Sequence, residues 1–188
     1  MSRGARDTWE SLTRARILPV LRATTEQDAR QAADRLLGQG LRVIEVTMTT
    51  PGAVTLIRDL AGTPGVLAGA GTVLTEGQAE ASLAAGARFL VSAANPAFLV
   101  PYGARNDLLV VPGAATPHEV WIAWSAGAPG VKVFPITRLG GPAYLKDLRG
   151  PFPDIRLMVS GGVRPADVEA LLAAGCDIAG VNATALLS

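Results

Sequence analysis

AAGARFLV (residues 84–91) ends a helix, turns on a glycine and enters a strand within eight residues. The alanines favour helix, Gly86 suits the left-handed residue that stops one, and Phe-Leu-Val is an apolar strand-like run. The same join returns as AAGCDIAGV (173–181). Working outward from these two, eight short apolar runs stand out: ILPVL (17–21), RVIEVT (42–47), VLAGAG (66–71), RFLVS (88–92), DLLVVP (107–112), GVKVFP (130–135), IRLMVS (155–160) and DIAGVN (177–182). Each is bounded by Gly or Pro and reads as a strand buried on both faces. Helical patterns fall between them at 25–38, 52–60, 75–85, 96–105, 117–126, 142–149 and 164–174. Thr116-Pro117-His118-Glu119 has the order of a capping box with Pro at the first helical position, and Thr75 with Gln78 offers another cap.

Strict alternation of strand and helix implies a parallel sheet, because parallel neighbours need crossovers. Eight units predict an α/β fold closed as a (β/α)8 TIM barrel, with residues 1–188 as one domain. At 188 residues the chain is short for that fold, where about 200–250 are usual, so the last helix is expected to be truncated or missing. An open doubly wound sheet is the alternative. No GxGxxG opens a first helix, which argues against a dinucleotide-binding sheet.

Composition narrows the function. Hydrophobic residues make up 49% and charged residues 18%, which suits a full core and not a disordered chain. The net charge of +1 and the scattered arginines give no nucleic-acid surface. No apolar run is long enough to span a bilayer, and the polar first fifteen residues lack a secretory h-region, so a cytoplasmic protein is expected. A single cysteine, Cys176, excludes an internal disulfide. No His, Cys and Asp cluster has metal-ligand spacing, and no metal or cofactor is expected. His118 reads as exposed helix start, Cys176 as a buried small residue, and Trp121 with Trp124 as core or subunit interface.

The chemistry concentrates at strand ends, where barrel enzymes place it. The chain has two lysines against fifteen arginines, yet Lys132 stands between two valines in GVKVFP. An apolar site destabilises an ammonium and yields an amine nucleophile; Arg cannot do this. The alternative is a lysine that snorkels to the barrel mouth or pairs with an acid. Glu45 is likewise an acid inside an apolar strand, RVIEVT. Strands two and six are both even-numbered, so the two side chains can share a layer and exchange protons, or form a structural ion pair. Thr72, in GAGTVLT, can hold a carboxylate or carbonyl oxygen while neighbouring glycines admit a ligand; it can equally be a turn residue. The Gly161–Gly162 pair in SGGVRP offers backbone N–H groups to an anion, or is an ordinary turn. Arg22 supplies positive charge at the mouth or at the surface.

The ordered set RILPVLR, IEVTMTTP, GAGTVLT, FLVSAANP, PGAATPHE, GVKVFP, GGPAYLKDLRGPFP and SGGVRP resembles the 2-keto-3-deoxy-6-phosphogluconate / 4-hydroxy-2-oxoglutarate aldolases. The related 2-dehydro-3-deoxy-6-phosphogalactonate aldolases are also similar. The resemblance runs from about residue 15 to 182. It implies a metal-independent class I aldolase on a (β/α)8 barrel, a homotrimer, with a small-molecule 2-keto acid as substrate. It implies Lys132 as the Schiff-base lysine, Glu45 as the proton-shuttling acid/base, Thr72 at the pyruvate carboxylate, and Gly161 and Gly162 at a phosphate. Phe134, close behind the lysine, is placed with the substrate-binding residues, as is Arg22. Four positions depart from the family pattern. Thr49 stands where many members have a carboxylate-binding Arg. Ala93 replaces a Pro. Ser160 replaces a Thr linked to stereochemical preference. Asn182-Ala183 replaces Gly-Ser, which removes a hydroxyl from the phosphate end. Other barrel enzymes on phosphorylated sugars, and a non-catalytic sugar-acid-binding barrel, are the competing readings.

Overall fold

The computed structural model describes residues 1–188. Its strands are β1 (Ile17–Leu21), β2 (Val43–Thr47), β3 (Leu67–Gly71), β4 (Phe89–Val91), β5 (Leu109–Val111), β6 (Gly113–Ala114), β7 (Val131–Val133), β8 (Leu157–Val159) and β9 (Ile178–Asn182). All neighbours pair in parallel, in the order β5-β4-β3-β2-β1-β9-β8-β7-β6. The two ends of that order, β5 and β6, are one stave interrupted at Pro112. Proline has no N–H for the ladder, so β5 bonds back to β4 while β6 bonds on to β7. The chain itself closes the ring there, and Lys132 N–H still reaches Pro112 O at 2.8 Å. Eight expected strands thus become nine segments of eight staves.

Around the barrel run α2 (Glu26–Gly38), α3 (Ala53–Ala61), α4 (Glu76–Ala84), α5 (Leu99–Arg105), α6 (Pro117–Ser125), α8 (Pro142–Arg149) and α9 (Val168–Ala173). Both Thr75 and Thr116 form complete capping boxes. The glycines after Ala85, Ala126 and Ala174 have φ of 93°, 90° and 109°, left-handed stops that other residues adopt at a cost. The expected helix 164–174 divides into a 3₁₀ turn at Pro165–Asp167 and then α9.

Two helices were not legible beforehand, α1 (Arg3–Ala15) and α7 (Ile136–Leu139), while α10 (Ala183–Leu187) is the truncated form of the last helix that was expected. The last helix is therefore present, though only five residues long, and Arg35 Nη2 donates to Leu187 O at 2.5 Å to tie it to α2. The first fifteen residues, read as merely polar, form α1 with Ala5, Trp9 and Leu12 buried along one stripe. That stripe packs on the inward residues Leu18, Phe89 and Leu109 and closes one end of the barrel. Trp9 lies so close to Gly130 that no side chain would fit there.

Alternation sets which residues face inward. In β2, Ile44 and Val46 join the layer beneath the helices, so Glu45 and Thr47 face the barrel. In β7, Val131 and Val133 do the same, which turns Lys132 inward. The end of the barrel away from α1 carries the polar residues.

Candidate active site

All but one of the expected site residues line a single cavity of about 130 Å³. Lys132 and Glu45 sit within it, 5% and 0% exposed. Both Glu45 carboxyl oxygens are buried without a hydrogen-bond partner, so the two groups share the space without a direct bond. Burial raises the Glu45 acid above its ordinary value of 4.5, while the positive charges of Lys132 and then Arg22 act in the opposite direction. A carboxyl that holds its proton more tightly than a free one, with neither oxygen engaged, is suited to give and take a proton in the cavity. Lys132 Nζ lies 5.3 Å from the centroid of the Phe134 ring, in reach of a cation–π contact. Phe134 follows Lys132 by two residues and so lines the same cavity.

Gly71 has a different role from the one its sequence suggested. The space its missing side chain leaves is filled by the Glu45 carboxyl, with which a Cβ would collide, and not by a ligand. Gly71→Ala is expected to push Glu45 off its position and lower kcat by about 10²-fold, the usual scale of a misplacement near 1 Å. Steady-state kinetics and circular dichroism together check this. A folded variant with wild-type kcat would contradict it.

Thr72 has φ 56°, an uncommon conformation for a β-branched residue and one that tends to persist at sites where neighbours hold it. One such neighbour is Arg22, whose Nη2 donates to Thr72 Oγ1 at 3.1 Å. Arg22 Nη1 donates to Thr49 Oγ1 at 2.6 Å. Thr49 is the expected residue that does not line the central cavity. It lines a second, more open cavity on the far side of Arg22. Its hydroxyl is taken up by the guanidinium, which stands between it and the central cavity.

The opposite wall comprises Ser160, Gly161, Gly162 and Asn182. Gly161 and Gly162 have φ of 96° and 78°. A Cβ on the first would lie 2.7 Å from Pro135 Cα, and on the second would overlap Thr137 Oγ1, so only glycine fits at either. Thr137 Oγ1 donates to Gly161 O at 2.8 Å, which orients the turn. The N–H groups of both glycines make no internal hydrogen bond, and successive free N–H groups in such a turn form an anion-binding concavity. Asn182 Oδ1 accepts from Thr184 N–H at 2.9 Å. Only the oxygen can accept there, which leaves the Nδ2 donors free.

Val20 and Gly180 also line the cavity and were not anticipated. Their signal was available, since each precedes by two an inward residue already suspected, Arg22 and Asn182. Ala93 lines a third cavity beside Phe134, with His118 and Ile122. His118 is exposed, as read from sequence. Cys176 is buried, its thiol pushed up to about 12 chiefly by burial, which leaves it inert as a nucleophile. Trp121 is 51% exposed and stacks on Phe152 at 6.0 Å, so it is not core. No three His, Cys, Asp or Glu side chains converge as metal ligands, and no helix is long and apolar enough to cross a membrane.

Comparison with known proteins agrees with this geometry. Residues 9–187 match the family model described as KDPG and KHG aldolase. The 2-dehydro-3-deoxy-phosphogluconate aldolase of Pseudomonas aeruginosa is 39% identical over 150 residues, 79% of this chain and 68% of the relative. The crystal structure of the 2-keto-3-deoxy-6-phosphogluconate aldolase of Zymomonas mobilis ZM4 with 3-phosphoglycerate superposes with a TM-score of 0.84 at 30% identity, covering 94% of this chain and 85% of that one. The KDPG aldolase of Legionella pneumophila, with pyruvate captured as a covalent carbinolamine, gives 0.79 at 33% identity, covering 88% and 81%. A TIM-type barrel with a buried lysine and an unpartnered buried carboxyl at its mouth, matched over nearly its whole length, places the chain in the KDPG and KHG aldolase family.

Proposed function

We propose that this chain is a class I aldolase that cleaves a 2-keto-3-deoxy-6-phospho sugar acid of the 2-keto-3-deoxy-6-phosphogluconate type into pyruvate and an aldehyde phosphate. One observation carries the reading. Lys132 and Glu45, the two ionisable groups buried in the barrel, face one cavity, and neither oxygen of the carboxyl is engaged elsewhere.

The deprotonated Lys132 amine adds to the C2 ketone. Glu45 moves protons as the carbinolamine loses water to give a protonated imine. Deprotonation of the C4 hydroxyl then breaks the C3–C4 bond; the aldehyde leaves and the electron pair enters the imine as an enamine. Protonation at C3 and hydrolysis release pyruvate and regenerate the amine. The scheme replaces one difficult cleavage by several easier steps. Arg22 and Thr72 are assigned to the substrate carboxylate, and Phe134 and Ser160 to the walls beside the reacting carbons. Gly161 and Gly162 are assigned to the phosphate, with Asn182 Nδ2 offering the donor that the missing hydroxyl would have supplied. The covalent carbinolamine of the Legionella relative supports the assignment to Lys132.

Incubation with pyruvate and borohydride, followed by peptide mapping, is expected to place a three-carbon adduct on Lys132. A retro-aldol assay is expected to favour the phosphorylated keto acid over its dephosphorylated form. An adduct confined to Lys146, or none, would overturn the reading. A homotrimer belongs to the same proposal. The exposed Trp121 and Ile122 give α6 an apolar outer face for a second copy. Sedimentation equilibrium is expected to return three times the chain mass, and a monomer would remove that part.

A further inference from the structure

Arg22 is an exposed, long side chain, and such side chains ordinarily sample many rotamers. Here two hydroxyls hold it, one on each branch of the guanidinium: Thr49 at 2.6 Å and Thr72 at 3.1 Å. The guanidinium has no acceptor, so both hydroxyls must receive its hydrogens. That leaves Thr49 its own proton to place. The next oxygen is Thr47 Oγ1 at 3.2 Å, fully buried, and beyond it stands Thr50 Oγ1 at 3.0 Å. Thr50 Oγ1 in turn accepts from the backbone N–H of Ala23, the residue after Arg22, at 3.4 Å. The bonds form a circuit that starts at the guanidinium, passes through three threonines and returns to the backbone beside Arg22. Thr47 can accept from Thr49 and pass its own hydrogen to Thr50, so the side-chain links can lead away from the positive charge, while the Ala23 N–H meets Thr50 from the other side.

The circuit fixes both ends of Arg22 relative to β2, the strand that carries Glu45. It leaves the Nε hydrogen and one hydrogen on each Nη for a ligand. Arg22 lies on the boundary between the central cavity and the more open one beside it, while Thr49 lines only the latter. We propose that Thr49, backed by Thr47, is a positioning residue: it holds the Arg22 guanidinium across the mouth of the catalytic cavity, so that Arg22 meets the substrate carboxylate and Thr49 does not. This rests on the aldolase reading given above.

The test is a double-mutant cycle on retro-aldol kinetics. Thr49→Val keeps the shape and removes the hydroxyl, and is expected to raise KM about tenfold or more, as for a lost hydrogen bond to a charged group, with a smaller change in kcat. Thr47→Val is expected to act in the same direction with a smaller effect. Thr49→Ser is expected to restore KM to within about twofold. In an Arg22→Met background KM is already raised, and adding Thr49→Val is expected to change it less than about twofold, because coupled residues are not additive. The acid limb of the pH–rate profile is expected to move to higher pH in both Arg22→Met and Thr49→Val, since each withdraws positive charge from Glu45. A Thr49→Val effect of equal size with and without Arg22 would mean direct contact with substrate and would overturn the proposal. So would an unchanged KM in Thr49→Val. Failure of the aldolase reading is told apart by the wild-type protein itself, which would then trap no pyruvate on Lys132.

Discussion

Lys132→Arg is expected to abolish turnover while leaving the barrel folded. The substitution keeps a positive charge on the same strand, so a merely structural cation would be replaced with little loss. An arginine stays protonated at any working pH and cannot condense with a ketone. The fall in kcat/KM is expected to reach about 10⁴-fold or more, as when the central group of a covalent mechanism is removed. The borohydride-stable pyruvate adduct is expected to vanish with it. Because Lys132 is only 5% exposed, the larger guanidinium can strain the core. Lys132→Met, close in length and uncharged, is the companion variant, and thermal melts report whether each has folded. Retained turnover in either folded variant would exclude the imine route.

Glu45→Gln is expected to lower kcat by about 10²–10⁴-fold, the range for a general acid/base. It is also expected to stabilise the protein, increasingly so as pH rises. The sign follows from the acid's shift above its ordinary value of 4.5 through burial. The folded state binds the Glu45 proton more tightly than the unfolded chain does. Its contribution is complete below the ordinary value and is lost as pH rises through the folded-state value. The glutamine has no proton to lose and escapes that decline. The Tm of Glu45→Gln minus that of the wild type should therefore grow as pH rises above 4.5. Each kcal/mol corresponds to roughly 2–4 °C in a domain of this size. A difference that stays flat with pH would show that the carboxyl is not held against its charge.

Much of this site was legible in the sequence for a simple reason. A lysine or glutamate flanked by β-branched residues in a two-sided strand must face whichever side the branches do not, and in a closed barrel that side is the interior. The helix-to-strand joins were equally legible, because a left-handed stop after Ala85, Ala126 or Ala174 calls for glycine. What was missed depends on facts that no local pattern carries. α1 buries only a narrow stripe among polar residues, and its burial comes from the barrel end it covers. The break at Pro112 has a local cause, but its effect, that the ring closes through the chain, is a matter of pairing. Gly71 was read as room for a ligand, since a sequence records that space exists and not what fills it. The role of Thr49 turns on two rotamers that bring side chains 27 residues apart into contact.

The indole of Trp9 rests against Gly130, two residues ahead of Lys132 on the same stave. The stopper helix thus stands under Lys132, the amine proposed to react. Lys132 is thereby backed by the apolar cluster at that end of the barrel, and the imine proposed there would be shielded from hydrolysis on its underside. Any tag or trimming at the amino terminus that unseated the indole would wet the reaction chamber from below, and a fault in chemistry would then originate fully outside the residues that perform it.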